Sequence, residues 1–163
     1  KAAGMRLVVQ RVAEASVRLA AAAAEEGPAS RIGPGLLVLV GISRDDTEDD
    51  AAWAARKLLG LRLFDHSDTG KPWDMNVTQR GLDILLVSQF TLYAVLKGTK
   101  PDFHSAMRAE LSRPFFDAFV ARVRQGYAPE RVQEGLFGQH MHVGLVNDGP
   151  VTITLDSRNR SGK

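Results

Sequence analysis

Two apolar runs, Leu36 to Ile42 and Leu82 to Val87, interrupted only by Gly41 and Asp83, constrain this chain more than any other feature. Neither shows the alternation of a strand with one wet face, and both are too short for a buried helix, so each reads as a central strand covered on both sides. A chain of 163 residues can bury one sizeable core around such strands without staples, and it has no cysteine to form any.

Elements around these strands follow from local pattern. Arg6 to Val12 reads as a strand, with a turn at Ala13-Glu14-Ala15 and Ser16 to Leu19 returning as its hairpin partner. The Ala/Glu-rich stretch from Ala20 to Ser30 is expected to be a variable surface loop, and Gly33-Pro34-Gly35 a turn. Thr47 or Asp46 can cap a helix that carries Glu48, Asp49 and Asp50 in its first turn and stops at Gly60. Ala51, Ala54, Ala55, Leu58 and Leu59 form its apolar stripe, which leaves Trp53 for an edge or an interface.

Further along, Leu61 to Phe64 predicts a short strand, followed by the polar loop Asp65 to Pro72. Its Thr69-Gly70-Lys71 lacks the glycine spacing of a phosphate loop. Leu82 to Leu92 predicts a central strand. A second helix is expected from about Pro114, burying Phe115, Phe116, Phe119, Val120 and Val123. Met141, Val143 and Leu145, then Val151, Ile153 and Leu155, predict a terminal hairpin. The sum is an α+β fold in a single domain, residues 5–156, with strands dominating and two main helices packed on one side. Residues 1–4 read as a short natural extension or an appended remnant, and 157–163 as a basic tail.

Two short motifs hold the chemistry. Ser88-Gln89-Phe90-Thr91 puts two hydroxyls and an amide at the end of a buried strand, where polar groups need partners. Ser88 and Thr91 fall on opposite faces of a regular strand, so one pocket can use both only if the strand bends or ends between them. Asn147-Asp148-Gly149-Pro150-Val151-Thr152 joins two alternating segments through a Gly-Pro pair, which lacks one backbone donor and leaves main-chain groups open to a ligand. Arg11 shares strand parity with Leu7 and Val9 and must find acceptors on an otherwise apolar face.

These motifs, together with Gln10-Arg11-Val12, Ala15-Ser16-Val17, Gly35 to Gly41, Met75-Asn76-Val77 and Lys100-Pro101-Asp102-Phe103, resemble the D-aminoacyl-tRNA deacylases over roughly Met5 to Leu155. That resemblance implies hydrolysis of the ester of D-aminoacyl-tRNA, with glycyl-tRNA as a side substrate, in a barrel-like, antiparallel-rich fold. It further implies a homodimer in which a cis Gly149-Pro150 enters the partner's site and Arg11 braces that loop. Ser88, Gln89, Phe90 and Thr91 become the floor of the aminoacyl pocket. Main-chain amides near Phe90 and Thr91 are the expected oxyanion donors, and Thr91 is a nucleophile candidate without an evident base. Met75, Asn76, Met141 and Thr152 are expected near the substrate. A sister group acting on a mischarged L-amino acid and a DNA-binding accessory role are the rival readings. Arg11 and the Asn147-Asp148-Gly149-Pro150 run favour the D-specific branch.

A net charge of +2 permits contact with a polyanion without dictating it, and Lys97 and Lys100 are the candidates for tRNA phosphates. His140 and His142 share a strand face but lack a third ligand, so neither metal nor cofactor is expected. No apolar stretch reaches the ~18 residues of a membrane span, and a cytoplasmic location is the expectation.

Overall fold

A computed structural model of the chain describes residues 4–23 and 25–161; Lys1 to Ala3 of the extension, Ala24 of the Ala/Glu-rich loop and the last two residues of the basic tail lie outside it. The strands are β1 (Arg6–Leu19), β2 (Ser30–Ile32), β3 (Gly35–Gly41), β4 (Asp83–Ser88), β5 (Val95–Lys97), β6 (Lys100–Asp102), β7 (Val132–Glu134) and β8 (Met141–Asp156). The helices are α1 (Glu48–Gly60), the single turn α2 (Val77–Arg80) and α3 (Ala109–Gly126).

The main sheet runs β2-β1-β3-β4-β7, with β8 along the other edge of β1. β1 pairs antiparallel with β2, β3 and β8, whereas β3–β4 and β4–β7 are parallel. Parallel neighbours need crossovers, and α1 and α3 supply them on the same face. The sheet curls until β2 approaches β7, where the Ser30 hydroxyl donates to the Glu134 carbonyl. The result is a nearly closed barrel-like sheet of α+β type.

Both apolar runs are buried on two faces. Leu36, Val38, Val40, Ile84 and Leu86 meet Ala54, Leu58, Phe116, Phe119 and Val123 under the helices. Leu37, Leu85 and Val87 face the second core, inside the curl, with Val12, Ala15, Val17 and Ile32. Each such side chain contributes about 1.5–3 kcal/mol by leaving water, so the two central strands anchor both cores at once.

The first and last strands depart from the expected hairpins. Ala13-Glu14-Ala15 is no turn: β1 is one strand of 14 residues. Its pairing with β8 slips between Gln10 and Val12 and again between Val12 and Glu14. Leu7 and Val9 point to the helix side and Val12 to the other core by ordinary alternation, and the irregularities then rotate the strand so that Ala15 and Val17 join Val12 there. The terminal hairpin is likewise absent. Residues 141–156 run as one strand antiparallel to β1, with Gln10 opposite Thr152 and Val12 opposite Asn147. Asp148 to Val151 therefore form a four-residue excursion opposite Arg11.

Three other boundaries differ. Leu61 to Phe64 forms no strand; Phe64 alone bridges to Met75. The strand expected to run to Leu92 stops at Ser88, and a 3-10 helix follows at Phe90–Tyr93. α3 starts at Ala109, placing Pro114 inside the helix rather than in its first turn. The turn before Pro114 exposes Leu111 and shows no apolar stripe, so nothing local announced it.

α1 forms as predicted, with Asp50 accepting from the Thr47 amide at 2.9 Å and from its hydroxyl at 3.0 Å. Asp50 is 1% exposed and also accepts from the Ser157 hydroxyl at 2.8 Å and from Arg160 at 3.2 Å, with Arg158 at 3.3 Å. Burial raises its pKa, but the Thr47 amide and the Ser157 and Thr47 hydroxyls outweigh this and hold it below the usual carboxylate value. Trp53 lies at the edge, between Lys57 and Arg160. No described helix is long and apolar enough to cross a membrane.

Candidate active site

The end of β4 bears the first motif. Val40 pairs with Ser88, the Gln89 amide donates to the Val40 carbonyl at 2.8 Å, and the chain then tightens into the 3-10 helix. The strand thus ends between Ser88 and Thr91, which is the condition for both to serve one pocket. The first bond of the 3-10 turn runs from the Leu92 amide to the Gln89 carbonyl, which leaves the Phe90 and Thr91 amides without an intrahelical acceptor. Phe90 is 58% exposed and packs edge-on to Phe103 with ring centres 5.0 Å apart. The Thr91 hydroxyl is hydrogen-bonded to the Gln89 side-chain amide, a group that cannot act as a base.

Beneath this turn Tyr93 is buried, its hydroxyl donating to the Gly41 carbonyl at 3.0 Å, and burial pushes its pKa up. A side chain at Gly41 would meet Tyr93 at 2.9 Å and Leu92 at 3.1 Å, so the glycine is what lets the turn settle on β3. Met141 reaches the same region from β8. Its sulfur accepts from the Leu136 amide at 3.2 Å and stands against Gly135, next to Val87.

The second motif is the excursion from β8. Gly149-Pro150 is cis, and Gly149 has φ +146° with no room for a Cβ, which would lie 2.6 Å from the Val151 amide. Asn147 closes the base: its side-chain oxygen accepts from the Val151 amide at 2.9 Å, while its amide reaches Thr152 at 3.2 Å. Gln10 donates to the same Thr152 hydroxyl at 3.3 Å. Gly149 and Pro150 are left exposed at the tip.

Arg11 holds this tip from behind. Its Nε donates to the Asp148 carbonyl at 3.0 Å and lies 3.4 Å from the Asp148 carboxylate, while a terminal nitrogen donates to the Leu63 carbonyl at 2.6 Å. The Phe64–Met75 bridge lies beside that carbonyl, which places Met75 near the second motif. Asn76 caps α2, accepting from the Gln79 amide at 2.9 Å, so its side chain is committed to structure.

Within one chain the two motifs do not meet. Ser88 lies at the level of Val40 and Leu7, four residues from Arg11 along β1, and β3 and β1 stand between β4 and β8. At ~3.3 Å per residue and ~4.8 Å per strand the separation along the sheet is about 20 Å.

Lys97 and Lys100 lie on the β5–β6 hairpin beyond the first motif. Lys97 is bound to Asp102 at 2.7 Å, and Asp102 also holds His104. The Lys97 and His104 hydrogen bonds keep the Asp102 carboxyl well below its ordinary pKa. Lys100 makes no ion pair among the described residues. His140 and His142 stand 5.9 Å apart, and no group of three ligating side chains occurs among the described residues.

Sequence reasoning missed Trp73. It is 56% exposed, has φ +55°, and its ring lies 5.9 Å from the Arg11 guanidinium. A large aromatic in a polar Gly/Pro loop was the available signal.

Comparison with known proteins identifies the family. The family model for D-Tyr-tRNA(Tyr) deacylase matches residues 8–156. The chain is 46% identical to D-aminoacyl-tRNA deacylase of Dictyostelium discoideum, covering 96% of this chain and all of that one. It is also 46% identical to human D-aminoacyl-tRNA deacylase 1, covering 94% of this chain and 70% of that one. A solved structure titled c-Myc DNA Unwinding Element Binding Protein superposes with a TM-score of 0.85 at 45% identity, over 92% of this chain and 97% of the other. The shared fold, the two motifs and the match over nearly the whole length make this chain a member of the D-Tyr-tRNA(Tyr) deacylase family.

Proposed function

We propose that this protein hydrolyses the ester joining a D-amino acid to the terminal ribose of tRNA, and does so as a homodimer with two composite sites. The separation of the two motifs within one chain is the observation that carries the dimeric arrangement. A site using both the Ser88–Thr91 floor and the Gly149-Pro150 tip needs a second copy. The free edge of β8, where Leu145 and Val146 are exposed, supports such an association.

In this reading the floor binds the aminoacyl group, and the Phe90 and Thr91 amides support the oxyanion as water attacks the ester carbon. The proton that water gives up is relayed through the neighbouring 2′-hydroxyl to the departing ribose oxygen, so the tetrahedral intermediate collapses to a free carboxyl group and a ribose hydroxyl. An ester this reactive needs positioning and oxyanion support more than a strong base, and one such donor is typically worth ~2.7–4 kcal/mol. The neighbouring 2′-hydroxyl of the ribose activates water, which is why Thr91 needs no basic partner. Ser88 and Gln89 shape the floor, Met141 lines it, and Met75 and Thr152 support the tip.

Selectivity is steric. A rigid main-chain tip facing the α-carbon leaves room for hydrogen and collides with an L side chain, so D side chains need no recognition of their own. Glycine passes the same filter, and glycyl-tRNA is a side substrate. Lys100 is the better candidate for a tRNA phosphate, since Asp102 already neutralises Lys97.

The test is release of labelled tyrosine from D- and L-tyrosyl-tRNA by the purified protein, with and without chelator. Release of the D form alone, indifferent to chelator, is expected. Release of neither would overturn the hydrolase reading and leave duplex DNA binding as the activity to measure.

A further inference from the structure

Trp73 has no role in the mechanism above, yet its backbone is the sole positive-φ conformation among the described non-glycine residues. Bulky residues avoid that region, and a residue kept there has to be fixed by its surroundings. The fixing contacts are explicit. The Asp74 and Met75 amides both donate to the Phe64 carbonyl at 3.0 Å, the Phe64 amide returns to the Met75 carbonyl at 3.0 Å, and Lys71 pairs with Asp74 at 3.1 Å. This framework does not bury the indole. It presents the ring outward, more than half exposed, next to the arginine that holds the Gly149-Pro150 tip.

An exposed aromatic on a fixed backbone, beside the loop that the proposed function turns towards the substrate, is a stacking platform. The scissile ester hangs on a ribose that also carries the terminal adenine, so the base must lie close to the mouth of the site into which the tip projects. We infer that Trp73 stacks on the terminal adenine of the tRNA and orients the ribose, acting from the same chain as the Gly149-Pro150 tip. This rests on the deacylase reading. The Arg11 guanidinium lies over the ring, 5.9 Å from its centroid, and backs the platform with a cation.

The chain has two tryptophans, so Trp53→Phe leaves Trp73 as the sole indole reporter. Titrating that variant with the trinucleotide CCA should quench its emission saturably, whereas CC ending in an abasic ribose should not. Trp73→Leu should raise KM for D-tyrosyl-tRNA about 10-fold with kcat within about 2-fold, and Trp73→Phe should recover part of the loss. An emission flat to CCA, or a KM unchanged in Trp73→Leu while the wild type still releases D-tyrosine, overturns the stacking role and leaves the hydrolase reading intact. Emission that responds to dilution of the dimer but not to CCA would assign the ring to subunit packing and equally overturn it. Wild-type protein that releases no D-tyrosine defeats the underlying reading instead.

Discussion

The guanidinium of Arg11 donates to the carbonyl of Asp148, 137 residues further along the chain, at 3.0 Å, and fixes the excursion that carries Gly149-Pro150. The second bond of Arg11, to Leu63, ties that excursion to the loop after α1. A fork of donors is needed to span both acceptors, and lysine has none. Arg11→Ala and Arg11→Lys should both stay folded but lose selectivity. At ~1.5–3 kcal/mol for hydrogen bonds from a charged donor, the ratio of D- to L-tyrosyl-tRNA hydrolysis should fall about 10- to 100-fold. An unchanged ratio in both variants would remove Arg11 from the filter.

Gly149→Ala should damage the tip more locally. At φ +146° an added Cβ would lie 2.6 Å from the Val151 amide, a conflict costing roughly 1–3 kcal/mol that the four-residue excursion must absorb by moving. Deacylation should fall at least ~10-fold while far-UV circular dichroism stays unchanged, because β1 and β8 remain paired on either side.

Thr91→Ala should retain turnover within about 10-fold of wild type. The hydroxyl's partner is an amide, and the proposed oxyanion donors are main-chain groups that the substitution leaves in place. A burst of covalent acyl-protein in the wild type, abolished in Thr91→Ala, would instead establish Thr91 as the nucleophile.

Asp46 gives the fold a pH signature. It is buried, one carboxylate oxygen accepts from the Ser43 amide at 2.7 Å, and the other has no hydrogen-bond partner among the described residues. Burial pushes its pKa up to about 7; the Ser43 amide opposes this and Asp50 reinforces it. The folded state therefore holds a proton that the unfolded chain has already released above about pH 4. Stability that this group supplies is complete below pH 4 and lost as pH rises towards 7, at up to ~1.4 kcal/mol per unit. Asp46→Asn mimics the protonated form. Its Tm should match wild type near pH 4 and exceed it at pH 8; a pH-independent difference would mean that Asp46 is ionised throughout.

Much of the core was legible because Leu36–Ile42 and Ile84–Val87 carry their burial on both faces, a pattern few other structures share. α1 was legible through a capping residue at Thr47 or Asp46, its acidic first turn and its alanine stripe. The long strands were not, because Ala13-Glu14-Ala15 breaks the apolar pattern and Asp148-Gly149 has the composition of a turn, and a bulge can do either without reversing the chain. Only the register against β1 distinguishes them. The candidate site was legible in its motifs and not in its contacts. Ser88–Thr91 and Gly149-Pro150 stand out locally, whereas the acceptors of Arg11 are carbonyls 52 and 137 residues away, which no side-chain pattern encodes.

Asp50 sets a practical limit on where this protein can be trimmed. A basic tail after the last strand looks dispensable, since β8 closes at Asp156. Yet Arg158 and Arg160 neutralise the buried Asp50 carboxylate, and the Ser157 hydroxyl donates to it. Cutting after Asp156 would leave that carboxylate only its Thr47 amide and hydroxyl, and taking the partners from a buried charge costs ~3–5 kcal/mol in comparable settings. An engineer shortening the chain or attaching a fusion partner should keep Ser157 to Arg160 together with β8.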